Sequence, residues 1–356
     1  MVFYIKKYFF ALTVCFCCAY SATETFGQKP DFNSVSFWEQ FRLFPSDTTV
    51  VFNNADQVAL MITNRVFQKD KIRFLPDSYN GGVRYFMVQK KDSLWNVLPV
   101  SDLQKAMRYF PENNKDWVIY TEGMGKLFTT ATDRALQMHE QYDVNVIMLD
   151  YPSIKAAWRR TRNYYFAKKN ATIAYKDFIP VLDSLQNFIK DFKSPDAAVN
   201  MFFHSMGNIV LEQIVKQKKL PLINENQWVN NLILNAPCVP HKKHKKWLDK
   251  IEFAENIFVL YNHKDYTLGG AYFMSKKHQL GRRLNKPISK KAAYINFHVL
   301  AEKKHSNFLN LKGYSPQQPS AIQFYQQSLH GEKPDLSDTS LFRKSSFRDI
   351  GWDILP

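Results

Sequence analysis

One serine in this chain stands where a nucleophile would be useful. Ser205 lies in Phe202-Phe-His-Ser-Met-Gly-Asn208, where an apolar run that reads as a strand meets a run that reads as a helix. A serine in the middle of so sharp a turn projects its hydroxyl above the sheet, and Gly207 at the exit lets the backbone fold back. In that geometry the Met206 N–H points at an oxyanion growing beside Ser205. Two later residues supply a proton relay. Asp265, in Tyr261-Asn-His-Lys-Asp-Tyr-Thr-Leu268, follows one apolar run. His305, in Lys304-His-Ser-Asn-Phe308, follows the next. His305 would take the Ser205 proton, and Asp265 would fix the imidazole tautomer and stabilise the imidazolium. Earlier in the chain, Tyr120-Thr-Glu-Gly-Met-Gly125 follows another apolar run. Gly123 there allows close approach, and Met124 is the candidate for a second oxyanion N–H. The chemistry would be acyl transfer through an acyl-serine.

Each residue also has a plainer reading. A Ser-x-Gly at a strand end is a common turn, and a loop aspartate is usually a cap. A histidine before Ser-Asn is usually on the surface, and a glycine pair is usually just a turn. The relay gains weight because all four segments follow strands and would share one sheet edge.

The elements that must position them read as a strand–helix alternation from about Trp117 onward, as in a parallel sheet covered by helices. Strands are expected at 117–120, 144–149, 198–203, 229–234, 256–261 and 293–299. They are nearly continuous apolar runs, which suits strands buried on both faces. Helices are expected at 131–142, with Asp133 at the start, at 175–192, with Pro180 near the start, and at 208–218. Before the core, 58–67 and 82–98 read as antiparallel edge strands. A helix over 101–110 would be capped by Ser101.

At these positions the sequence resembles a bacterial branch of the α/β-hydrolases of poorly defined function. That branch carries a His-Gly turn after one strand, a strand ending in Trp-Pro-Ser and an elbow reading Ala-His-Ser-Met-Gly-Asn. A loop aspartate and a His-Ser-Tyr-like segment follow. The matching stretches are Glu122-Gly-Met124, Asp150-Tyr-Pro-Ser153, His204-Ser-Met-Gly-Asn208, Asn235-Ala-Pro237, Asn262-His-Lys-Asp265 and His305-Ser-Asn307. The resemblance covers about 117–310. It implies an α/β-hydrolase fold, with a mostly parallel central sheet, helices on both faces and an N-terminal extension. It also implies hydrolysis of an ester, thioester or amide with the order Ser205, Asp265, His305 along the chain. Three residues depart from the pattern. Glu122 replaces the histidine, Phe203 replaces a small residue before the serine, and Cys238 replaces an aspartate after Asn-Ala-Pro. The first two keep a second reading open, a catalytically inactive hydrolase fold used for binding or surface assembly. The third removes an alternative acid and favours Asp265. Peptidase and esterase activity share such a triad.

Length and charge set the surroundings. Lys6 and Lys7 precede an apolar run to about Tyr20, then small and polar residues, the layout of a secretory leader. The run is shorter than the roughly 20 residues of a membrane span. Cleavage after Gly27, or after Ser21, would fit, and an uncleaved anchor is the alternative. The parts are thus a leader at 1–27, an extension with edge strands at 28–115, a catalytic core at 116–330 and a tail at 331–356 that wraps around or lacks order. The leader would make the protein exported, to the periplasm, the outer envelope or the exterior. Cys15, Cys17 and Cys18 would leave with it, so Cys238 would have no disulfide partner. The chain carries +16, and +15 once Lys6, Lys7 and Glu24 are removed. Such a surface favours an anionic envelope partner. No nucleic-acid recognition motif is present, and the expected substrate is a small-molecule or lipid ester. No cofactor is required. His241 and His244 sit among lysines that repel a cation, so no metal is expected. The run 241–246 reads as a solvated helix face. Trp158-Arg-Arg-Thr-Arg-Asn-Tyr-Tyr-Phe166 mixes aromatics with cations that would suit an acidic or lipidic substrate, and its plainer reading is an exposed helix start.

Overall fold

The computed structural model describes residues 30–48, 52–53, 56–111, 114–312 and 315–356. The expected leader, 1–27, lies outside them. The chain divides into Met1–Asp31 with Asn310–Pro316, and Phe32–Leu309 with Gln317–Pro356. The first unit carries no helix or strand among its described residues. Everything that follows concerns the second.

The apolar runs form the middle of a 12-stranded sheet. Its strands are β1 (Phe41–Leu43), β2 (Gln57–Arg65), β3 (Tyr79–Lys91), β4 (Leu94–Val100), β5 (Trp117–Thr121), β6 (Asn145–Asp150), β7 (Val199–His204), β8 (Val229–Asn235), β9 (Ala254–Tyr261), β10 (Ala292–Asn296), β11 (Phe342–Lys344) and β12 (Trp352–Ile354). The order is β1-β4-β3-β2-β6-β5-β7-β8-β9-β10-β12-β11. Pairing is parallel from β2 through β6, β5, β7, β8, β9 and β10 to β12, and antiparallel at β2/β3, β3/β4 and β11/β12. Every residue of β5, β6 and β7 is buried, as strands covered on both faces must be.

Seven helices matter here: α1 (Leu103–Met107), α2 (Phe128–Tyr142), α3 (Arg160–Phe192), α4 (Gly207–Lys216), α5 (His244–Leu248), α6 (Tyr266–Ser275) and α7 (Pro319–Leu329). One sheet face packs Ile119, Met201 and Phe203 into a core with Ala167, Phe178 and Leu182 of α3 and Val210 of α4. On the other face Phe202 meets Phe308 and Tyr325, and Tyr325 of α7 meets Tyr142 of α2. This is an α/β-hydrolase fold. Because β6 and β7 lie on opposite sides of β5, the chain reverses its winding there. Such switch points leave a crevice at the carboxyl ends of the strands.

Several local expectations are corrected. Helix α2 begins at Phe128, a turn before Asp133, which instead accepts from Gln137 within the helix. Helix α3 begins at Arg160, so Pro180 lies inside it and not near its start. Buried Ala171, Ala174 and Phe178 before the proline, and Leu182, Leu185 and Ile189 after it, hold the helix to the sheet on both sides and override its local cost. Asp102, not Ser101, caps α1, because its carboxylate accepts the Lys105 N–H at 2.7 Å while Ser101 Oγ donates to the other carboxylate oxygen. Strand β2 is interior, paired on both sides, rather than an edge. The tail supplies β12, which pairs in parallel with β10, and Asn296 Nδ2 donates to Asp353 Oδ1 at 2.9 Å.

The segment before the core is fastened by one buried cation. Arg65 donates through Nε to Asp150 Oδ2 (2.7 Å) and through Nη2 to Asp150 Oδ1 (3.0 Å). It also reaches the Lys126 and Tyr151 carbonyls and Asp77. Its side chain is wholly buried, so this fork of charge-assisted bonds replaces all of its hydration.

Candidate active site

Ser205 stands at the carboxyl end of β7, where the chain turns directly into α4. Its φ is 51°, the left-handed region that a non-glycine residue holds only when its surroundings enforce it. The enforcement is visible. Ser205 N–H donates to the Asn235 carbonyl of β8 at 2.9 Å, and Cys238 N–H donates to the Ser205 carbonyl at 3.0 Å. Asn208 Nδ2 donates to the Phe203 carbonyl (2.7 Å), and also reaches the Ser205 and Asn235 carbonyls. Asn208 is a staple across the base of the turn, a role that sequence reasoning did not assign to it. Phe203 does not crowd this turn. It is fully buried in the core on the α3 and α4 side of the sheet.

Two glycines admit the neighbouring loop. A Cβ on Gly207 would lie 2.5 Å from the Thr121 carbonyl oxygen, so only glycine lets α4 start against β5. A Cβ on Gly123 would lie 2.6 Å from Ser205 Cβ and 3.2 Å from the Met206 nitrogen. The 121–125 loop therefore presses on the serine. Neither the Met206 nor the Met124 amide donates to an acceptor among the described residues. Met206 is buried and Met124 half-buried.

Asp265 and His305 meet on the same edge. His305 Nδ1 donates to Asp265 Oδ2 at 2.6 Å, and the aspartate is fully buried. The other carboxylate oxygen accepts the Leu268 N–H at 2.9 Å and caps α6. So Asp265 is both a helix cap and a histidine partner. Asn262 Nδ2 clips the two loops together through the Glu302 (2.8 Å) and Lys304 (3.1 Å) carbonyls. No hydrogen bond joins Ser205 Oγ to His305 among the described residues.

Beside His305 lies a second imidazole, His204, with ring centroids 4.9 Å apart. Asn235 Nδ2 donates to the Tyr325 hydroxyl, so its Oδ1 is the acceptor for His204 Nδ1–H at 2.8 Å. Burial, reinforced by the His305, Arg134 and Lys126 charges, pushes His204 down to about 3. It is a neutral wall of the site, fixed in one tautomer.

Glu122, the departure from the histidine of the resembled branch, has a structural account. Its Oε2 accepts the Gly123 N–H at 2.8 Å, and its Oε1 accepts the Tyr120 hydroxyl. Arg134 Nη1 lies 3.3 Å from Oε1, and Lys126 Nζ lies 3.8 Å from Oε2. Burial alone would raise this carboxyl. Lys126, Arg134 and the Tyr120 hydroxyl outweigh burial and hold it well below the usual glutamate range. Burial pushes Lys126 down to about 8. Arg134 also donates to Ser306 Oγ at 3.1 Å, tying the 121–125 loop to the residue after His305. Sequence reasoning missed this network, because Arg134 and Ser306 give no local signal of a shared partner. Among the described residues no three His, Cys, Asp or Glu side chains gather as metal ligands. His244 Nδ1 contacts the His241 carbonyl and Nε2 contacts Tyr294.

No curated protein and no solved structure matches the chain. A family model does match, over residues 101–323, more than half of the chain, from within the segment before the core to well into α7. With its doubly wound sheet, its elbow serine and this match, the chain belongs to the alpha/beta hydrolases of unknown function, DUF900.

Proposed function

We propose that this protein is a serine hydrolase that cleaves an ester, thioester or amide bond through an acyl-Ser205 intermediate. The observation that carries this reading is the pairing of buried Asp265 with half-buried His305 on the sheet edge where Ser205 is held at positive φ against Gly123. Ser205 Oγ attacks the carbonyl carbon while its proton passes to His305 Nε2, and Asp265 stabilises the imidazolium. The Met206 and Met124 amides receive the oxyanion. Collapse breaks the bond to the leaving group, which takes the proton from His305. Water, deprotonated by His305, then releases the acid and frees Ser205. Glu122 and Arg134 act behind this by fixing the Gly123 loop.

A fluorophosphonate probe tests the reading directly. Wild type should label, and Ser205→Ala and His305→Ala should not. A folded wild type that stays unlabelled would replace it with the second reading, a silent fold used for binding, which the missing Ser205–His305 hydrogen bond favours. Resting sites often close that bond only around substrate. Export belongs to the same proposal. Cell fractionation and N-terminal sequencing should find a chain starting at Gln28 outside the cytoplasm, and a cytoplasmic chain that keeps residues 1–27 would remove that part alone.

A further inference from the structure

The run 241–246 is not a uniform solvated helix face. His241 and His244 are buried, and only His244–Leu248 is helical. Its lysines line a groove of about 730 Å³, the size of a small-ligand site. Lys242, Lys243, Lys246, Lys250, Lys276 and Lys277 all border it, with Trp247 and Tyr272 as its aromatic walls. None of these six lysines has a carboxylate within 4 Å among the described residues. By contrast Lys216, also on the rim, is paired with Glu212 at 2.7 Å. Trp247 Nε1 and His241 Nδ1, on residues 3% and 5% exposed, have no hydrogen-bond partner among the described residues. Uncompensated cations beside unpartnered polar atoms are what a polyanion would complete.

A second feature adjoins the groove. Helix α6 carries no charged residue, yet it buries only Leu268, Gly269 and Ala271. Tyr266 and Phe273, on one face at i and i+7, are 67% and 70% exposed, more than any other large apolar side chain described. Phe273 packs edge-on against Tyr272, whose ring stacks on His278 in the groove wall. Tyr165, also exposed, donates to the Met274 carbonyl at 3.2 Å and widens the apolar face. Exposed aromatics next to a cluster of lysines are the two attractions that hold a protein on an anionic bilayer.

We infer that α6 and the lysine groove form a membrane-docking surface, in which Tyr266 and Phe273 enter the lipid interface and the groove receives phosphate headgroups. Asp265, the residue that holds His305, caps this same helix. Docking would bring the candidate site to the bilayer, and the acyl substrate would be a membrane lipid ester. That last step rests on the hydrolase reading, whereas docking itself does not.

The test is sedimentation of the full chain with phosphatidylcholine vesicles, with and without phosphatidylglycerol. Phosphatidylcholine alone measures any contribution of residues 1–27. Wild type should gain binding with the anionic lipid. The triple variant Lys242→Gln, Lys246→Gln, Lys277→Gln should lose about tenfold or more of that gain. Tyr266→Ser with Phe273→Ser should also weaken it. The charge-matched triple Lys69→Gln, Lys71→Gln, Lys91→Gln should not. No gain with anionic lipid, or equal losses in both lysine triples, would overturn the inference. Titration with inorganic pyrophosphate guards the source of the anion, since tight pyrophosphate binding without vesicle binding would make the groove a soluble-anion site. Fluorophosphonate labelling in lipid-free buffer separates the two readings. Labelling without vesicle binding removes docking only, and vesicle binding without labelling removes the hydrolase only.

Discussion

Two cation-rich regions of this molecule are built in opposite ways. Around the ends of β5 and β6, Arg65 and Arg134 are buried and Lys126 is half-buried, and each faces a carboxylate within 4 Å. Around the groove beside α5 and α6, six lysines face none among the described residues. A buried charge must be compensated, so the first region fixes geometry. Exposed charges keep their hydration and contribute little to folding, so the second is free to act on something outside the chain.

The sharpest way to break the comparison is to remove one member of a buried pair. Arg65→Ala should cost about 3–5 kcal/mol of stability, read from urea unfolding, because Asp150 is left buried without its cation. A loss under about 1 kcal/mol would mean that water takes over the site. Glu122→Gln comes next, at about 1–3 kcal/mol. It should also slow fluorophosphonate labelling, since the Gly123 loop loses its anchor.

That substitution carries a pH signature. The folded Glu122 carboxyl titrates below its unfolded value, so its contribution is complete above the ordinary glutamate range and is lost as pH falls below it. His204 acts in the same direction. Held down to about 3 in the fold, it binds no proton between there and its ordinary value near 6.5, whereas the unfolded chain does. Stability should therefore fall as pH drops below about 6.5. Glu122→Gln should flatten the lower part of that limb in acid-unfolding curves, and an unchanged limb would remove Glu122 from the account. A smaller effect is expected for Asn262→Ala, about 1 kcal/mol, from loss of the clip between the Asp265 and His305 loops. Smallest of all, the Lys242, Lys246 and Lys277 triple should stay within about 0.5 kcal/mol of wild type. A larger loss would show that the groove is part of the scaffold.

The order of legibility follows from which interactions are local. The candidate residues Ser205, Asp265 and His305 are legible as a group because each follows an apolar run. In a parallel sheet the segments after such runs come out on one edge. The elbow was readable from Gly207 for the same reason, since close approach of α4 to β5 leaves no room for a Cβ. Helix α3 was only half-read. Its first turns are crowded with Arg160, Arg162, Lys168 and Lys169, and the residues buried there, Asn163, Ala167, Asn170, Ala171 and Ala174 among them, are small or polar and carry little hydrophobic signal. Arg65 with Asp150, and Glu122 with Arg134 and Ser306, were illegible. Nothing in the spacing of two charges distant in sequence states that they will meet. Strand β12 is three residues long, and its place beside β10 depends on pairing with a partner far back in the chain.

Cys238 offers an unplanned instrument. It is the free thiol among the described residues, buried, and pushed up to about 12 by burial and by the nearby Asp265 charge. In the closed fold it has neither the ionisation nor the access that a thiol reagent needs. Its own amide, however, is one of the bonds that hold the Ser205 turn. The rate at which a disulfide reagent reaches Cys238 would thus time the breathing of the elbow itself. A ligand that steadies the turn should slow that clock, even when no product can be detected.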